Sequence, residues 1–182
     1  MAFAWPGSPG TALRVPRLAL KRGERVLLLG RSGSGKTTLL SLICGIVAPE
    51  RGTIRIDGTD MAGLRASARD RLRAEKIGVI FQQFNLLPYA SPLDNILLAL
   101  RFAPERRARA ARTGDAAGEA RRIGAALALD DAVFATRRAA RLSVGQQQRV
   151  AAARAMIGAP PLIVADEPTS ALDADSQAAF LD

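Results

Sequence analysis

Residues 30–37, with the sequence GRSGSGKT, place glycines, hydroxyl groups and a lysine at the spacing of a phosphate-binding loop. The glycines let the main chain curl so that successive N–H groups point at an anion, beside a helix N-terminus. Lys36 can reach the terminal phosphates, and the Thr37 hydroxyl can hold Mg²⁺. We therefore expect nucleotide contacts from Gly30, Ser32, Gly33, Ser34, Gly35, Lys36, Thr37 and Thr38. The alternative is a Gly/Ser-rich turn with an incidental lysine.

Two carboxylates, Asp166 and Glu167, follow the apolar run LIVA at residues 162–165. Such a run predicts a buried strand, and ligands bind at the carboxyl ends of strands in parallel sheets. Asp166 would face Mg²⁺, and Glu167 would orient or deprotonate a water that attacks a phosphate. An acidic strand end before a Pro-Thr turn is the alternative. Together with the phosphate-binding loop, the pair favours nucleotide hydrolysis.

The segment LSVGQQQR at residues 142–149 predicts the start of a helix with Ser143 as its N-cap. A serine hydroxyl and free N–H groups at a helix start can make a second phosphate contact. On this motif alone, a capped surface helix is the default interpretation.

Composition predicts one globular α/β domain, because 182 residues with 48% hydrophobic content can form a proper core. No apolar stretch approaches the roughly 20 residues of a membrane-spanning helix, and the N-terminus does not resemble a signal peptide. Cys44 is expected in the core. The net charge of +9 comes almost wholly from arginines, concentrated between Arg101 and Arg112. We interpret them as solvated helix faces rather than a nucleic-acid site, with some attraction to membrane surfaces.

The apolar run VLLL at residues 26–29 predicts a buried parallel strand before the phosphate-binding loop, and residues 38–43 predict a helix after it. That strand is expected to span residues 25–29, and further strands are expected at residues 3–5, 11–15, 18–21, 52–58, 77–81 and 162–165. Helices are expected at residues 66–74, 92–129 with breaks at Gly114 and Gly118, 144–157 and 175–181. This order predicts an α/β core that carries a helical insertion.

Taken in order, these motifs resemble the ATP-binding cassette of ABC transporters over nearly the whole chain. Residues 30–37 match the Walker A motif, 81–82 the Q-loop, 142–149 the signature, 162–167 the Walker B motif and 170–173 the D-loop. The resemblance implies an α/β P-loop NTPase core with an antiparallel β subdomain and a helical subdomain at about residues 88–158. It implies a single ATP-binding domain over residues 1–182.

The resemblance also implies site roles and partners. Gln82 would sense Mg²⁺ and the attacking water, and Ser143, Gly145 and Gln146 would contact ATP held by the other subunit of a head-to-tail homodimer. Residues 84–95 would touch a separate transmembrane permease, at the cytoplasmic face of the membrane. The residues at 81–88 are similar to the branch that serves lipoprotein-releasing and macrolide-export permeases. Trp5, or less favourably Phe3, would stack on adenine; a strand-anchoring aromatic is the alternative.

Three departures from the family pattern bear on activity. Val144 stands where the family usually has glycine, which we expect to weaken closure of the dimer. The sequence has no histidine, so the family's switch histidine has no counterpart, and we expect the C-terminal strands to be missing. The leading hypothesis is an ABC-transporter ATPase subunit that binds MgATP, dimerises and drives a separate membrane permease. Export of a lipoprotein or a hydrophobic compound is favoured over import. The alternatives are a non-hydrolysing remnant and a soluble ABC ATPase that acts on nucleic acid or ribosomes.

Overall fold

The computed structural model describes residues 1–5, 13–112 and 114–167, and the chain divides into two compact units, residues 1–76 and 77–182. The first unit contains β1 (Ala2–Phe3), β2 (Leu13–Arg14), α1 (Lys36–Ile43), β3 (Arg55–Ile56), β4 (Thr59–Asp60) and α2 (Ala66–Lys76). The second contains β5 (Ile77–Ile80), α3 (Pro92–Leu97), α4 (Pro104–Ala110), α5 (Ala116–Ala126), α6 (Asp131–Ala135), α7 (Val144–Met156) and β6 (Leu162–Ala165). Short 3-10 turns lie at Leu98–Leu100 and Ala139–Arg141.

The first unit holds the antiparallel β structure that the sequence predicts. β1 pairs with β2, and Ala2 forms a further bridge to Arg51. The strand predicted at 52–58 becomes a hairpin of β3 and β4, because Asp57 and Gly58 both adopt positive φ angles, 48° and 83°, and reverse the chain. Cys44 is buried, as expected.

The strands predicted at residues 18–21 and 25–29 are wrong. Both segments are irregular, and Leu27 and Leu29 are 80% and 85% exposed. A strand is stable only when its N–H and C=O groups find partners. Among the described residues, none pairs with 26–29 as a strand, so apolar composition alone does not produce one there.

The second unit is built around one parallel strand pair and helix α7. β5 and β6 pair in parallel, from Ile77 opposite Leu162 to Ile80 opposite Ala165. Gly78 lets α7 approach the pair closely, since a Cβ atom at this position would lie 2.1 Å from the Ala155 carbonyl oxygen. The strands predicted at 77–81 and 162–165 are therefore confirmed.

Caps set the helix boundaries in the second unit. Asp115 caps α5 by accepting a hydrogen bond from the Gly118 N–H, so Gly118 lies in the first turn and does not break the helix as predicted. Gly114 does lie between α4 and α5. The core of this unit is formed by side chains of α3, α5, α6, α7 and the segments between them, namely Ile96, Leu100, Ile123, Leu129, Val133, Val150 and Ile157.

Part of the arginine-rich stretch lies inside the protein, contrary to its interpretation as a solvated face. Arg106 is only 3% exposed. Its guanidinium donates to the Ile157 carbonyl from Nε (3.0 Å) and Nη2 (2.7 Å), and to the Ala155 carbonyl (3.0 Å). Arg109 Nε donates to the Gly158 carbonyl at 2.7 Å. These arginines satisfy carbonyls at the C-terminal end of α7, which have no partner within the helix.

The helix predicted at 175–181 and the D-loop residues 170–173 lie outside the described residues. Within the described ranges, no helix combines the length and the apolar character needed to span a membrane.

Candidate active site

The phosphate-binding loop lies in the first unit and leads directly into α1. Gly33 and Gly35 have φ angles of 78° and 90°, a left-handed conformation that glycine adopts readily. Gly35 is the N-cap of α1, and Lys36 is its first residue. The Lys36 ammonium turns back over the loop and donates to the Gly30 carbonyl at 2.7 Å and to the Arg31 carbonyl at 3.3 Å.

The start of α1 fits an anion. The first N–H groups of a helix have no acceptor within it, and they carry the positive end of the helix dipole. The first turn of α1 contains no acidic residue that would compete with a phosphate. Residues 30–34 and Thr37 are exposed, so a ligand can reach them. Lys36, Thr37 and Thr38 form the first turn of α1, and their contact with a phosphate stays a prediction.

The carboxyl ends of β5 and β6 bring the predicted catalytic residues together in the second unit. The parallel pairing continues beyond the strands, since the Asp166 N–H donates to the Ile80 carbonyl at 3.0 Å. The next side chains then meet, and the Gln82 amide Nε2 donates to Glu167 Oε2 at 3.2 Å. Both side chains are exposed, and Glu167 has a positive φ of 46°. An amide and a carboxylate at one sheet edge can orient a water and accept its proton.

The predicted metal ligands occur in both units. Thr37 lies in the first unit, and Gln82 and Asp166 lie in the second. No group of three or more His, Cys, Asp or Glu residues within the described ranges is arranged to hold a metal ion. A Mg²⁺ ion held largely by phosphate oxygens and water needs only one or two protein carboxylates. Metal binding by these residues stays a prediction.

The signature segment forms the predicted capped helix start. Ser143 Oγ accepts from the Gln146 N–H at 3.2 Å, and Gln146 Oε1 accepts from the Ser143 N–H at 3.0 Å. This reciprocal capping box begins α7. Val144 takes an ordinary negative φ and is 51% exposed, so its backbone shows no conflict here. Gly145 has open space around it. Contact with a phosphate stays a prediction for this segment.

Trp5 packs against a strand residue, as its interpretation as a strand-anchoring aromatic predicts. Its ring packs edge-on against Phe3, with the centroids 4.9 Å apart, and Phe3 is buried. Trp5 nevertheless keeps 44% of its surface exposed. A stacking role toward adenine stays a prediction.

Only part of the segment predicted to face a permease is on the surface. Asn85, Pro88 and Tyr89 are exposed, and Tyr89 reaches 71% exposure. Phe84 and Asn95, at the two ends of the segment, are buried. A buried side chain cannot contact another subunit directly, so any contact must come from the exposed residues between them.

Three side chains to which the sequence analysis assigns no such role form hydrogen bonds with the main chain of the second unit: Asn95, Arg106 and Arg154. Arg154 Nη1 donates to the Asn85 carbonyl at 2.7 Å, and its Nη2 donates to the Phe84 carbonyl. Burial lowers the pKa of Arg154. The partners of Arg106 and Arg154 are main-chain carbonyls distant in sequence, so no motif spacing indicates these two arginines.

Comparison with known proteins places these features in a family. The ABC transporter family model matches residues 13–170. The chain is 42% identical over 166 residues to the uncharacterized ABC transporter ATP-binding protein MJ0796 of Methanocaldococcus jannaschii, covering 89% of this chain and 67% of that protein. The lipoprotein-releasing system ATP-binding protein LolD of Nitrobacter hamburgensis is 41% identical over 163 residues, with 90% and 67% covered.

The macrolide export ATP-binding/permease protein MacB of Syntrophobacter fumaroxidans is 41% identical over 167 residues, which cover 88% of this chain and 22% of MacB. The chain also spans less than half the length of several mycobacterial relatives. The solved dimeric structure of MJ0796, an ABC transporter cassette, has a TM-score of 0.79 at 36% identity and covers 99% of this chain and 76% of that one. A further MJ0796 structure is a post-hydrolysis state bound to ADP and Pi.

The predicted α/β P-loop NTPase fold, with its antiparallel β and helical parts, is thus confirmed by these structural neighbours. The chain belongs to the ABC transporter family, as an ATP-binding cassette.

Proposed function

We propose that this chain binds and hydrolyses ATP and thereby drives transport through a separate permease. The observation that carries the proposal is the contact between the Gln82 amide and the Glu167 carboxylate at the carboxyl ends of two paired parallel strands. A hydrolytic role needs a base beside a group that orients water, and these two side chains supply both.

Each predicted site residue has a role in this proposal. The N–H groups of residues 32–38 and the Lys36 ammonium hold the phosphates. Thr37 and Asp166 hold Mg²⁺, which when bound neutralises phosphate charge. Glu167 accepts the proton of the attacking water, and Gln82 orients that water. Trp5 stacks on the adenine.

A head-to-tail dimer completes the proposed site. Ser143, Gly145 and Gln146 of one subunit would contact the ATP held by the other, which is supported by the dimeric state of the MJ0796 cassette. The bulk of Val144 at this contact would weaken closure. Residues 1–182 would act as one ATP-binding domain, with residues 88–158 as its helical subdomain.

The transport partner would be a permease at the cytoplasmic face of the membrane, reached through exposed residues such as Asn85 and Tyr89. The names of LolD and MacB support export of a lipoprotein or another hydrophobic compound. Direct binding to nucleic acid is not part of the proposal, because Arg106 and Arg109 of the arginine-rich stretch bind main-chain carbonyls.

Lys36→Ala tests the nucleotide site. Loss of charge-assisted hydrogen bonds worth about 1.5–3 kcal/mol should weaken MgATP binding at least about tenfold in isothermal calorimetry. Lys21→Ala is the matched control, because Lys21 is an exposed lysine of the same unit outside the loop. Equal affinity of wild type and a folded Lys36→Ala variant would refute the site.

Glu167→Gln tests hydrolysis separately from binding. The amide keeps the shape of the side chain but cannot accept the proton, so turnover should stop while MgATP binding persists. Size-exclusion chromatography with ATP should then show an accumulated dimer. Glu105→Gln, on the exposed face of α4, is the control. Hydrolysis at the wild-type rate in Glu167→Gln would mean that Glu167 is not the base.

A further inference from the structure

The loop between β5 and α3 carries Gln82, and its main chain adopts an uncommon conformation. Phe84 and Asn85 have φ angles of 56° and 48°, two consecutive non-glycine residues in the left-handed region. The left-handed conformation is disfavoured for a bulky residue such as Phe84, whereas asparagine adopts it more readily, so the turn at Phe84 persists only when surrounding contacts hold it. The turn itself contributes short-range bonds, from the Phe84 N–H to the Phe81 carbonyl (2.9 Å) and from the Asn85 N–H to the Gln83 carbonyl (2.6 Å).

Arg154 contacts Phe84 and Asn85 from outside the loop. Its Nη1 donates to the Asn85 carbonyl at 2.7 Å, and its Nη2 donates to the Phe84 carbonyl. The two donors of a planar guanidinium match two neighbouring carbonyls, and the group keeps its proton even when buried. Arg154 lies near the C-terminal end of α7, the helix that begins at the signature residue Ser143.

A second set of contacts fixes the rest of the loop. Asn95 is fully buried; it accepts from the Leu87 N–H at 2.7 Å and donates to the Leu87 and Ser91 carbonyls at 3.1 and 3.0 Å. The Ala139 N–H donates to the Ala90 carbonyl at 2.8 Å. Residue 139 begins the 3-10 turn that precedes Ser143. The loop is therefore attached near both ends of α7.

We propose that Arg154 is a positioning residue, which holds the loop so that the Gln82 amide meets Glu167. Without Arg154, the carbonyls of Phe84 and Asn85 lose their fixed partner, and the loop relaxes from the left-handed turn. The Gln82 amide then samples other positions. The effect on nucleotide rests on the proposed function, whereas the effect on the loop does not.

Hydrogen exchange followed by mass spectrometry tests the loop. In Arg154→Gln, peptides that cover residues 82–88 should exchange about tenfold faster, as expected for loss of a charge-assisted hydrogen bond. Residues 148–153 inside α7 should stay within about twofold of wild type, because their helical bonds remain. Arg109→Gln removes an arginine–carbonyl bond of the same unit that does not reach the loop, and it should leave 82–88 unchanged. Unchanged loop exchange in a folded Arg154→Gln overturns the proposal.

Arg154→Lys provides the test if the glutamine variant does not fold. A lysine keeps the charge but lacks the rigid fork that serves both carbonyls, so loop exchange should rise about threefold. Exchange equal to wild type in this variant overturns the proposal as well.

A double-mutant cycle with Gln82→Ala separates positioning from general stability. Arg154→Lys should weaken MgATP binding by about threefold or more but leave ATP binding in EDTA unchanged, because Gln82 acts on the metal side of the site. The double variant should bind no more weakly than Gln82→Ala alone. If the fold-losses in MgATP affinity of the two single variants multiply in the double variant, Arg154 does not act through Gln82. The same conclusion follows if Arg154→Lys weakens ATP binding equally in EDTA. If wild type binds no ATP, the proposed function fails, and the exchange experiment still decides the role of Arg154.

Discussion

Replacement of Arg106 by methionine should destabilise the helical part of the second unit strongly. Methionine has similar length and fills the buried space, but it cannot donate hydrogen bonds. The Ile157 and Ala155 carbonyls would lose their guanidinium donors in a buried site. Each buried acceptor left unsatisfied costs about 1–3 kcal/mol, so two of them cost about 2–6 kcal/mol. This loss is large against a typical total stability of about 5–15 kcal/mol.

Urea unfolding measures the loss, with a probe for each unit. Far-UV circular dichroism follows mainly the helices, most of which lie in the second unit. Fluorescence of Trp5, the single tryptophan, follows the first unit. Arg106→Met should lower the midpoint of the circular-dichroism transition. Arg112→Met is the control in the same unit, because Arg112 is exposed and its replacement should change the free energy of unfolding by no more than about 0.5 kcal/mol.

Equal unfolding midpoints for Arg106→Met and Arg112→Met would refute this reasoning. They would mean that water or rearranged neighbours satisfy the two carbonyls at no cost, and that burial of the guanidinium does not stabilise the C-terminal end of α7.

Three further outcomes are expected. Gly78→Ala should lower the free energy of unfolding, measured with urea, by about 1–3 kcal/mol, because the added Cβ atom would lie 2.1 Å from the Ala155 carbonyl oxygen. Gly63→Ala is the control, since a Cβ atom at that position meets open space. Equal losses in the two variants would contradict the close packing. Ser143→Ala should lower the free energy of unfolding by about 1 kcal/mol through loss of the capping box, as measured by circular dichroism. Ser143→Thr should retain most of this stability, because threonine keeps the hydroxyl group. The hydrogen bond from Arg122 lowers the pKa of Glu119. The pair therefore stabilises the folded protein at pH values above the ordinary glutamate pKa, and this stabilisation is lost as the pH falls through the lowered pKa. Carboxyl NMR of Arg122→Gln should show this pKa raised, and an unchanged pKa would contradict the assignment.

The elements best predicted from sequence are those with strong local signals. Helix α7 begins where Ser143 and Gln146 form a capping box, and it ends within one residue of the expected position. Strands β5 and β6 lie where short apolar runs predicted them, because each pairs with the other. The loop at 30–37 precedes a helix, as its motif requires.

The predictions that are wrong concern residues whose structure depends on partners distant in the sequence. The apolar run at 26–29 has the composition of a strand, but strand formation depends on pairing that composition does not reveal. Arg106 and Arg154 were expected on the surface, because burial of a charge is costly unless hydrogen bonds satisfy it. Main-chain carbonyls supply those bonds here, and every residue has one, so the sequence carries no sign of which are used.

Arg106 in the second unit binds neutral main-chain carbonyls, whereas Arg122 binds the Glu119 carboxylate, and this difference determines how each contact responds to ionic strength. Dissolved salt screens exposed ion pairs such as Arg122–Glu119, but it acts weakly on short, shielded hydrogen bonds. Concentrated salt should therefore suppress long-range attraction between this highly cationic chain and anionic surfaces while the buried contacts of Arg106 persist. A salt titration can thus separate the effects of the surface charge from those of the buried arginine–carbonyl hydrogen bonds.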